Sequence, residues 1–244
     1  MRYLLQLAYK GTNFNGYQRQ PDKRTVQGVL EDAINKVFGE KIVSFASGRT
    51  DAGVHALGQM VHFDSEKFVD FSSLKYSLNS LLPNDVRVMN ITDGGQLHAR
   101  YSAKHKRYGY TFYVDDCERV MLTDRAYFVY GDLNVRLMKR ACRLFKGEHD
   151  FKAFQATGST AKTTVRTIYD CCIVYDRMND TYRIEVEGNG FLYKMVRFIA
   201  GSLIKVGKGK LTLDELKDAI DGGELPKNIV LPAHALTLLN VKYD

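Results

Sequence analysis

Residues 42–63 read IVSFASGRTDAGVHALGQMVHF, and the rest of the chain is organised around this segment. Its two ends, residues 42–45 and 59–63, are apolar runs that predict two buried strands. The residues between them, 46–56, contain two glycines that permit positive φ angles and the close approach of a ligand, so they predict a loop. A loop fixed by strands at both ends commonly presents reactive side chains on a rigid frame.

Asp51 is the candidate reactive group of this loop, because it lies between Gly48 and Gly53 and directly follows Arg49 and Thr50. A carboxylate can act as a nucleophile, and a neighbouring cation keeps it ionised. The same residues also fit an Asx turn with an Arg–Asp ion pair, since Asp and Gly are common in turns. The residue pattern by itself leaves both interpretations open.

The first half of the chain predicts a split βαβ order. Residues 3–9 and 86–91 have the apolar pattern of strands. Thr25 can cap a helix whose apolar positions run to Phe38, and Pro83 closes a second helix. Together with the two strands around the loop, the order is strand, helix, strand, strand, helix, strand. This order is the ferredoxin-like motif.

The second half repeats that order with one added helix. Its predicted elements are a strand at 107–114, a helix ending near Phe145, a hairpin of 165–175 and 181–187, a long helix at 191–206, a helix with a Thr212/Glu215 capping box, and a closing strand at 236–243. We therefore expect an α+β protein with two ferredoxin-like, RRM-like halves joined into one central mixed, mostly antiparallel sheet with a basic cleft. The predicted subdomains are 1–96, with the catalytic loop 46–56, and 97–244.

Composition favours a folded protein with an anionic partner. The chain has 244 residues, 45% of them hydrophobic, and a formal net charge of +7, which supports a sizeable core and nucleic acid as the first choice of partner. The four cysteines lack zinc-site spacing, and the adjacent Cys171 and Cys172 should point to opposite faces of a strand. No signal-peptide pattern and no long apolar span is present. We expect a cytoplasmic protein without a metal, a disulfide or a membrane segment.

Two stretches without acidic residues predict an RNA-binding surface. Between residues 97 and 114, Arg100, Lys104, Lys106 and Arg107 are interleaved with aromatic residues. Cations can hold phosphates while rings stack on unpaired bases, although a solvated edge strand would look similar. In the second stretch, 188–213, Arg197 lies among apolar residues of the predicted helix, where a charge must reach the surface, pair or serve a site.

His55 and His62 have no neighbouring nucleophile, so we expect structural hydrogen bonds from them.

The string from Gly48 to Ala56, followed by GQMVHF at 58–63, resembles the catalytic signature of the tRNA pseudouridine synthase A family. Shorter matches follow in the same order along nearly the whole chain, at YQRQ 17–20, TVQ 25–27, LP 82–83, HAR 98–100, KRY 106–108, NGF 189–191, MVR 195–197 and PAHAL 232–236. Two departures are Tyr17, where members often carry tryptophan, and Ala235, where a glycine is common.

The resemblance implies roles for individual residues. Asp51 is expected to be the nucleophile, Tyr108 to contact the target uracil, and Arg197 to lie beside the carboxylate. Arg49 is expected to displace the target nucleotide, and Leu236 to be a substrate-binding residue. The family's fold is two ferredoxin-like halves, and its members are homodimers that bind the tRNA anticodon arm and isomerise uridines at positions 38, 39 and 40.

This isomerisation breaks the N-glycosidic bond, rotates the uracil and joins its C5 to the ribose without oxidation, so no cofactor or metal is expected. It needs a nucleophilic carboxylate, a cation that orients it, and a ring that holds the detached base, after the target has left the helical stack. Attack at ribose C1′, at uracil C6 or through a glycal fits these residues, as does removal of the C5 proton by Asp51 or by Tyr108.

Two other functions compete with the isomerase. A non-catalytic RNA-binding module of RRM-like topology would explain the basic and aromatic strand near residues 106–113, and it predicts that Asp51 is dispensable. An aspartate-based phosphohydrolase would need several clustered acids for magnesium, whereas residues 46–64 hold only Asp51 and Asp64. The isomerase is the leading hypothesis.

Overall fold

The computed structural model describes residues 1–158, 161–226 and 229–243. The chain divides into two compact units, unit 1 (Met1–Lys104 with Thr237–Asp244) and unit 2 (His105–Leu236). In chain order the described elements are β1 (Arg2–Tyr9), α1 (Val26–Phe38), β2 (Phe45–Ala46), β3 (His55–Asp64), α2 (Phe71–Leu81), β4 (Val86–Asp93), β5 (His105–Asp115), β6 (Tyr127–Tyr130), α3 (Val135–Cys142), β7 (Gly147–Asp150), β8 (Val165–Asp176), β9 (Thr181–Gly188), α4 (Met195–Gly207), α5 (Leu213–Ile220) and β10 (Leu236–Lys242). The predicted α+β class is confirmed.

Unit 1 has the predicted split βαβ order. Its strands are arranged β4-β1-β3-β2, and each neighbouring pair is antiparallel. Thr25 caps α1 as predicted, because its hydroxyl accepts a hydrogen bond from the Gly28 N–H at 3.2 Å. Buried rings fill the core, where Tyr3 stacks on Phe63 at a centroid distance of 5.0 Å.

The strand predicted for residues 42–45 is mostly wrong, since β2 contains only Phe45 and Ala46. Side chains from α1 take the hydrogen bonds that a longer strand would form. Asn35 Oδ1 accepts from the Ile42 N–H at 2.8 Å, and Glu31 Oε1 accepts from the Ser44 N–H at 2.9 Å. These bonds hold the chain against the helix, and Val43 points into solvent with 54% of its surface exposed.

The closing strand is formed as predicted, but it pairs within unit 1. Thr237 and Leu238 of β10 lie opposite His55 and Ala56 of β3 in parallel register. The sequence predicts that the two halves join in one mixed sheet, but it does not identify β3 and β10 as strands that pair. The first residues of β3 are open to it because β2 pairs only with His62 and Val61 at the other end of the strand. The unit boundary lies at Lys104/His105, compared with residues 96/97 in the sequence prediction.

Unit 2 is built on an antiparallel sheet in the order β5-β9-β8-β7, with β6 parallel to β5. The predicted hairpin of β8 and β9 and the Thr212/Glu215 capping box are confirmed. Strands β6 and β7, with four residues each, were not predicted. Helix α4 begins at Met195 and not at residue 191, since Lys194 has a left-handed conformation with φ 61°.

The two faces of the unit 2 sheet differ in character. Tyr110 and Phe112 of β5 are fully buried on the face that α3 and α4 cover. Arg107 alternates onto the opposite face, where Glu185 and Glu187 of β9 lie. The longest α-helices in the described part of the chain have 13 residues, and none there is long and apolar enough to cross a membrane.

Candidate active site

Buried polar groups anchor the loop that carries Asp51. The Ser47 N–H donates to the Met60 carbonyl at 2.7 Å, and the Ser47 hydroxyl donates to Gln59 Oε1 at 2.7 Å. The same Gln59 donates through Nε2 to the Gly48 carbonyl at 2.8 Å, and its side chain is fully buried. The start of the loop is therefore fixed to β3 through both backbone and side chain.

Tyr9 holds the residue before Asp51. Its hydroxyl lies 2.8 Å from Thr50 Oγ1, and both residues are buried. Burial raises the pKa of Tyr9 to about 12, while hydrogen bonds from Thr50 and Gln59 oppose that rise. Tyr9 consequently stays neutral at physiological pH and serves as a fixed hydrogen-bonding group.

The glycine-rich segment 10–21 lies directly against the backbone of the Asp51 loop. The Gly11 N–H donates to His55 Nδ1 at 3.0 Å, and the Tyr17 N–H donates to the Thr50 carbonyl at 3.0 Å. A Cβ on Gly11 would overlap the Val54 carbonyl oxygen, and Gly16 has φ 88°. Glycine is thus required at both positions, for close approach at one and for a left-handed backbone at the other.

Asp51 itself begins a tight turn. Its carbonyl accepts from the Val54 N–H at 3.1 Å, and Gly53 has φ 82°. The Asp51 side chain is half-buried, whereas Arg49 is exposed and makes no ion pair with the described residues. The observed hydrogen bond closes a β-turn through the Asp51 backbone carbonyl, and the Arg49–Asp51 ion pair of the alternative interpretation is not formed among the described residues.

The two histidines near the loop make the structural hydrogen bonds that were predicted. His55 accepts from Gly11, and His62 Nδ1 accepts from the Ala99 N–H at 3.1 Å. Burial lowers the pKa of His62 to about 4, and the nearby positive charge of Arg2 lowers it further. His62 is therefore neutral at pH 7.

Tyr17, at one of the two positions that depart from the family pattern, is also buried, with 2% of its surface exposed. Its hydroxyl has no hydrogen-bond partner among the described residues. Burial raises the pKa of Tyr17 well above its usual value. The ring lies 6.4 Å from that of Tyr9, so this position belongs to the packing behind the loop.

In unit 2, Arg197 is oriented by the chain that precedes β10. Its Nε donates to the Leu231 carbonyl at 2.7 Å from the first turn of α4. The two segments approach this closely because residue 201 is glycine, since a Cβ there would overlap the Ile229 carbonyl. Leu236, with 6% of its surface exposed, follows a 3-10 turn at Ala233–Ala235.

Tyr108 lies on β5 and packs against the segment that leads to α4. The rings of Tyr108 and Phe191 make an edge-to-face contact, with centroids 5.2 Å apart and an interplanar angle of 86°. Two residues further, the Tyr110 hydroxyl donates to the Pro232 carbonyl at 3.0 Å. Burial raises the pKa of Tyr110, an effect that the charge of Arg197 partly opposes.

The predicted phosphate contacts differ in their surroundings. Arg107 is bound to two buried carboxylates, with NH1 3.0 Å from Glu185 Oε2 and Nε 2.7 Å from Glu187 Oε2. Lys106 is half-buried, while Lys104 and Arg100 are exposed. Arg107 is therefore bound to two glutamates within the protein, on the polar face of the sheet.

The predicted site residues fall into two groups. Asp51, Arg49, Arg100 and Lys104 belong to unit 1, whereas Tyr108, Arg197, Leu236, Lys106 and Arg107 belong to unit 2. Tyr9, Ser47 and Gln59, which support the loop, are not identifiable from the sequence pattern. A polar glutamine at the start of an apolar strand is the one signal that points to Gln59. Phe191, the neighbour of Tyr108, lies in a motif that the sequence does indicate.

Comparison with known proteins gives consistent matches along the chain. The family model described as tRNA pseudouridine synthase matches residues 7–102 and 141–244. A protein of Ruminiclostridium cellulolyticum named tRNA pseudouridine synthase A is 43% identical over 98% of each chain. Proteins of the same name from Caldicellulosiruptor saccharolyticus and Clostridium botulinum are 40% and 42% identical, again over 98% of each chain.

Proposed function

Because the chain belongs to the tRNA pseudouridine synthase family, a family of isomerases, we propose that it converts uridine to pseudouridine in tRNA with Asp51 as the nucleophile. The observation that carries this proposal is the fixed position of Asp51. Its loop is anchored on one side by Ser47 and Gln59 and on the other by the glycine segment, in a chain with family matches in both halves. Catalysis by a positioned nucleophile requires this kind of rigid support.

In the proposed reaction the Asp51 carboxylate attacks the target nucleoside, and the glycosidic bond from C1′ to N1 breaks. The detached uracil turns and its C5 bonds to C1′, as any bond from Asp51 to the nucleoside breaks. The C5 proton is lost and N1 takes up a proton, so the atoms of substrate and product are the same. The guanidinium of Arg197 keeps the carboxylate ionised and oriented. The Tyr108 ring, held by Phe191, retains the base during its rotation.

The remaining residues are proposed to bind the RNA. Arg49, exposed beside Asp51, occupies the space that the target nucleotide leaves when it turns out of the stack. Leu236 borders the uracil, and Arg100, Lys104, Lys106 and Arg107 contact phosphates of the anticodon arm. We further propose positions 38, 39 and 40 as the targets, a homodimer as the active form and the cytoplasm as its location.

The test is pseudouridine formation in an unmodified tRNA transcript with uridines in the anticodon arm. Carbodiimide adducts that stop reverse transcriptase map the product for the wild type and for Asp51→Asn, which keeps size and polarity but removes the charge. We expect stops at positions 38 to 40 with the wild type alone, and equal tRNA affinity for both proteins, since one carboxylate hardly alters phosphate binding.

Each result has a clear meaning. Tight binding by the wild type without any stop on this or on bulk tRNA would favour the non-catalytic RNA-binding module. Activity retained by Asp51→Asn would remove Asp51 from the role of nucleophile. Loss of both affinity and thermal stability in the variant would make the aspartate a structural residue of the turn.

A further inference from the structure

Helix α3 and the turn after it carry four exposed cations in an outward-facing row. Arg136, Lys139 and Arg140 lie on the helix, and Arg143 begins the 3-10 turn that extends it. We call these four residues the α3 ridge. Their spacing of three, four and seven residues from Arg136 places them within an arc of about 100° on one side of the helix. They form one continuous positive surface about 10 Å long.

No carboxylate neutralises the α3 ridge. Residues 133–147 contain no Asp or Glu, and within the described ranges none of the four side chains has a hydrogen bond or an ion pair. Several other arginines are paired, as Arg119 is with Asp115 and Asp180. Like charges three or four residues apart on a helix repel each other. This repulsion is relieved when the row meets a polyanion.

The opposite side of α3 fixes the ridge to the body of unit 2. Met138 is fully buried there and Cys142 nearly so. The Asn134 N–H donates to the Gly207 carbonyl of α4 at 2.9 Å, and a Cβ on Gly207 would come within 2.7 Å of the Met138 sulfur. The helix therefore presents its cations from a rigid support, so little backbone entropy is lost when they bind a ligand.

The ridge is remote from the predicted catalytic groups of its own unit. Helix α3 packs on β8, which is separated from β5 and Tyr108 by β9. Two strand spacings and the thickness of the helix layer put the ridge on the order of 20 Å from Tyr108. Phosphates bound there lie at least several nucleotides from those beside the target uridine, since one strand has a charge about every 3.4 Å of helix axis.

We propose that the α3 ridge binds backbone phosphates of the tRNA substrate outside the anticodon arm. This inference rests on the proposed function, because it takes tRNA as the ligand. A row about 10 Å long can meet several phosphates, since one strand of a duplex has a charge about every 3.4 Å of helix axis. The ridge supplies affinity for the whole tRNA and leaves the chemical step to the other residues.

The test compares two variants that each lose four positive charges. The ridge variant is Arg136→Gln/Lys139→Gln/Arg140→Gln/Arg143→Gln, in which glutamine preserves helix propensity. The control is Lys36→Gln/Lys41→Gln/Lys75→Gln/Lys217→Gln, at exposed positions spread over both units. Thermal melting checks that both fold. Binding of a full-length tRNA transcript and of its isolated anticodon stem-loop is then measured at several salt concentrations, together with pseudouridine formation in each.

We expect the ridge variant to bind the full-length transcript at least tenfold more weakly than the wild type. The slope of log affinity against log salt concentration should become about 3 less steep, because four phosphate contacts are lost. Its stem-loop affinity and turnover should match the wild type. Equal losses of tRNA affinity in the ridge and control variants would overturn the inference, and so would a loss of stem-loop affinity as large as the loss for full-length tRNA. The inference would also be overturned if the ridge variant kept its tRNA affinity but failed to bind another partner of the wild type. Absence of product with the wild type would overturn the proposed function, while the binding comparison would still decide the role of the ridge.

Discussion

The hydroxyl of Tyr9 and Oγ1 of Thr50 lie 2.8 Å apart in the interior of unit 1. Tyr9 is the last residue of β1, and Thr50 directly precedes Asp51, so this hydrogen bond connects the end of a strand to the loop that carries Asp51. Gln59 Nε2 approaches the same hydroxyl at 3.4 Å. Each of these buried groups depends on the others, because an unpaired buried polar group is costly. The backbone position next to Asp51 is thus set by buried polar groups of unit 1.

Tyr9→Phe should therefore affect both stability and catalysis. We expect the free energy of unfolding to fall by about 1–2 kcal/mol, because Thr50 and Gln59 lose a buried partner. Single-turnover rate should fall severalfold at unchanged tRNA affinity, since the loop loses a positioning contact. Urea denaturation and single-turnover kinetics measure the two effects.

Tyr3→Phe is the matched control for that change. Tyr3 is fully buried, and its hydroxyl also has backbone partners in unit 1, namely the Lys67 carbonyl and the Val69 N–H, both at 2.9 Å. Its loss should lower stability similarly without altering the rate. If both variants slowed turnover equally, the effect of Tyr9 would be one of general stability and not of loop position.

Gly11→Ala should disrupt the support behind Asp51. A Cβ there overlaps the Val54 carbonyl, and backbone on both sides prevents relief without movement of the loop. We expect a loss of about 2–4 kcal/mol in unfolding free energy and a large loss of turnover. Gly95→Ala is the control in the same unit, since an added Cβ there has nothing within 4 Å and should cost only the strain of its positive φ. Normal turnover in Gly11→Ala would show that the loop tolerates displacement.

The fold was predictable where local residues determine it. Thr25 and Pro83 mark helix ends by capping and by the missing N–H, and the Thr212/Glu215 box does the same for α5. Non-local pairing was not predictable. Strands β6 and β7 are too short to show periodicity, and the parallel partner of β10 lies about 180 residues earlier in the chain, at His55.

The sequence also proposes candidates for the site. Asp51 lies in a long and specific motif, so a single sequence suffices to propose it as a site residue. The partners of Arg107 could not be inferred, because Glu185 and Glu187 are about 80 residues away in sequence and meet it only through the register of β5 and β9. The same limit applies to Tyr9 and Gln59, whose hydrogen bonds exist only after the strands have paired.

Arg107→Gln tests whether that residue acts on RNA or on the fold. The change leaves Glu185 and Glu187, with exposures of 8% and 6%, without their shared cation, so we expect a loss of about 2–4 kcal/mol in unfolding free energy at pH 7. Arg183→Gln, which removes a more exposed partner of Glu185 alone, should cost less. Unchanged stability would show that the two carboxylates do not depend on Arg107, and the salt dependence of tRNA binding, measured in the same variant, tests its proposed phosphate contact.

Tyr17→Phe should leave the protein at least as stable as the wild type. The buried hydroxyl makes no hydrogen bond of standard geometry in the described structure, although the Ser44 side chain acts to lower its pKa. Its removal therefore ends a desolvation cost while the ring packing is kept. We expect a gain of up to about 1 kcal/mol in urea denaturation. A loss of more than about 1 kcal/mol would mean that a bound water or a moved side chain satisfies this hydroxyl in solution.

His62 should make stability depend on pH between about 6.5 and 4. Its folded-state pKa of about 4 lies below the value of 6.5 for the unfolded chain, so the unfolded state binds the proton first. The stabilisation is therefore complete above pH 6.5 and is lost as the pH falls toward 4. We expect about 2 kcal/mol from this histidine after allowance for solvent screening.

His62→Gln isolates this contribution, because glutamine can still accept a hydrogen bond from the Ala99 N–H but does not titrate. Unfolding free energies of both proteins are measured by urea denaturation from pH 7.5 to 4. The variant should lose less stability than the wild type as the pH falls, so the gap between them narrows or reverses. Carboxylates that do not interact with His62, such as Asp180, whose pKa is lowered by hydrogen bonds from Tyr175 and Arg119, act equally in both proteins and cancel. Asp64 interacts with His62 directly, so its change is part of the measured difference. Parallel curves over this range would show that His62 does not bind its proton more weakly in the folded protein.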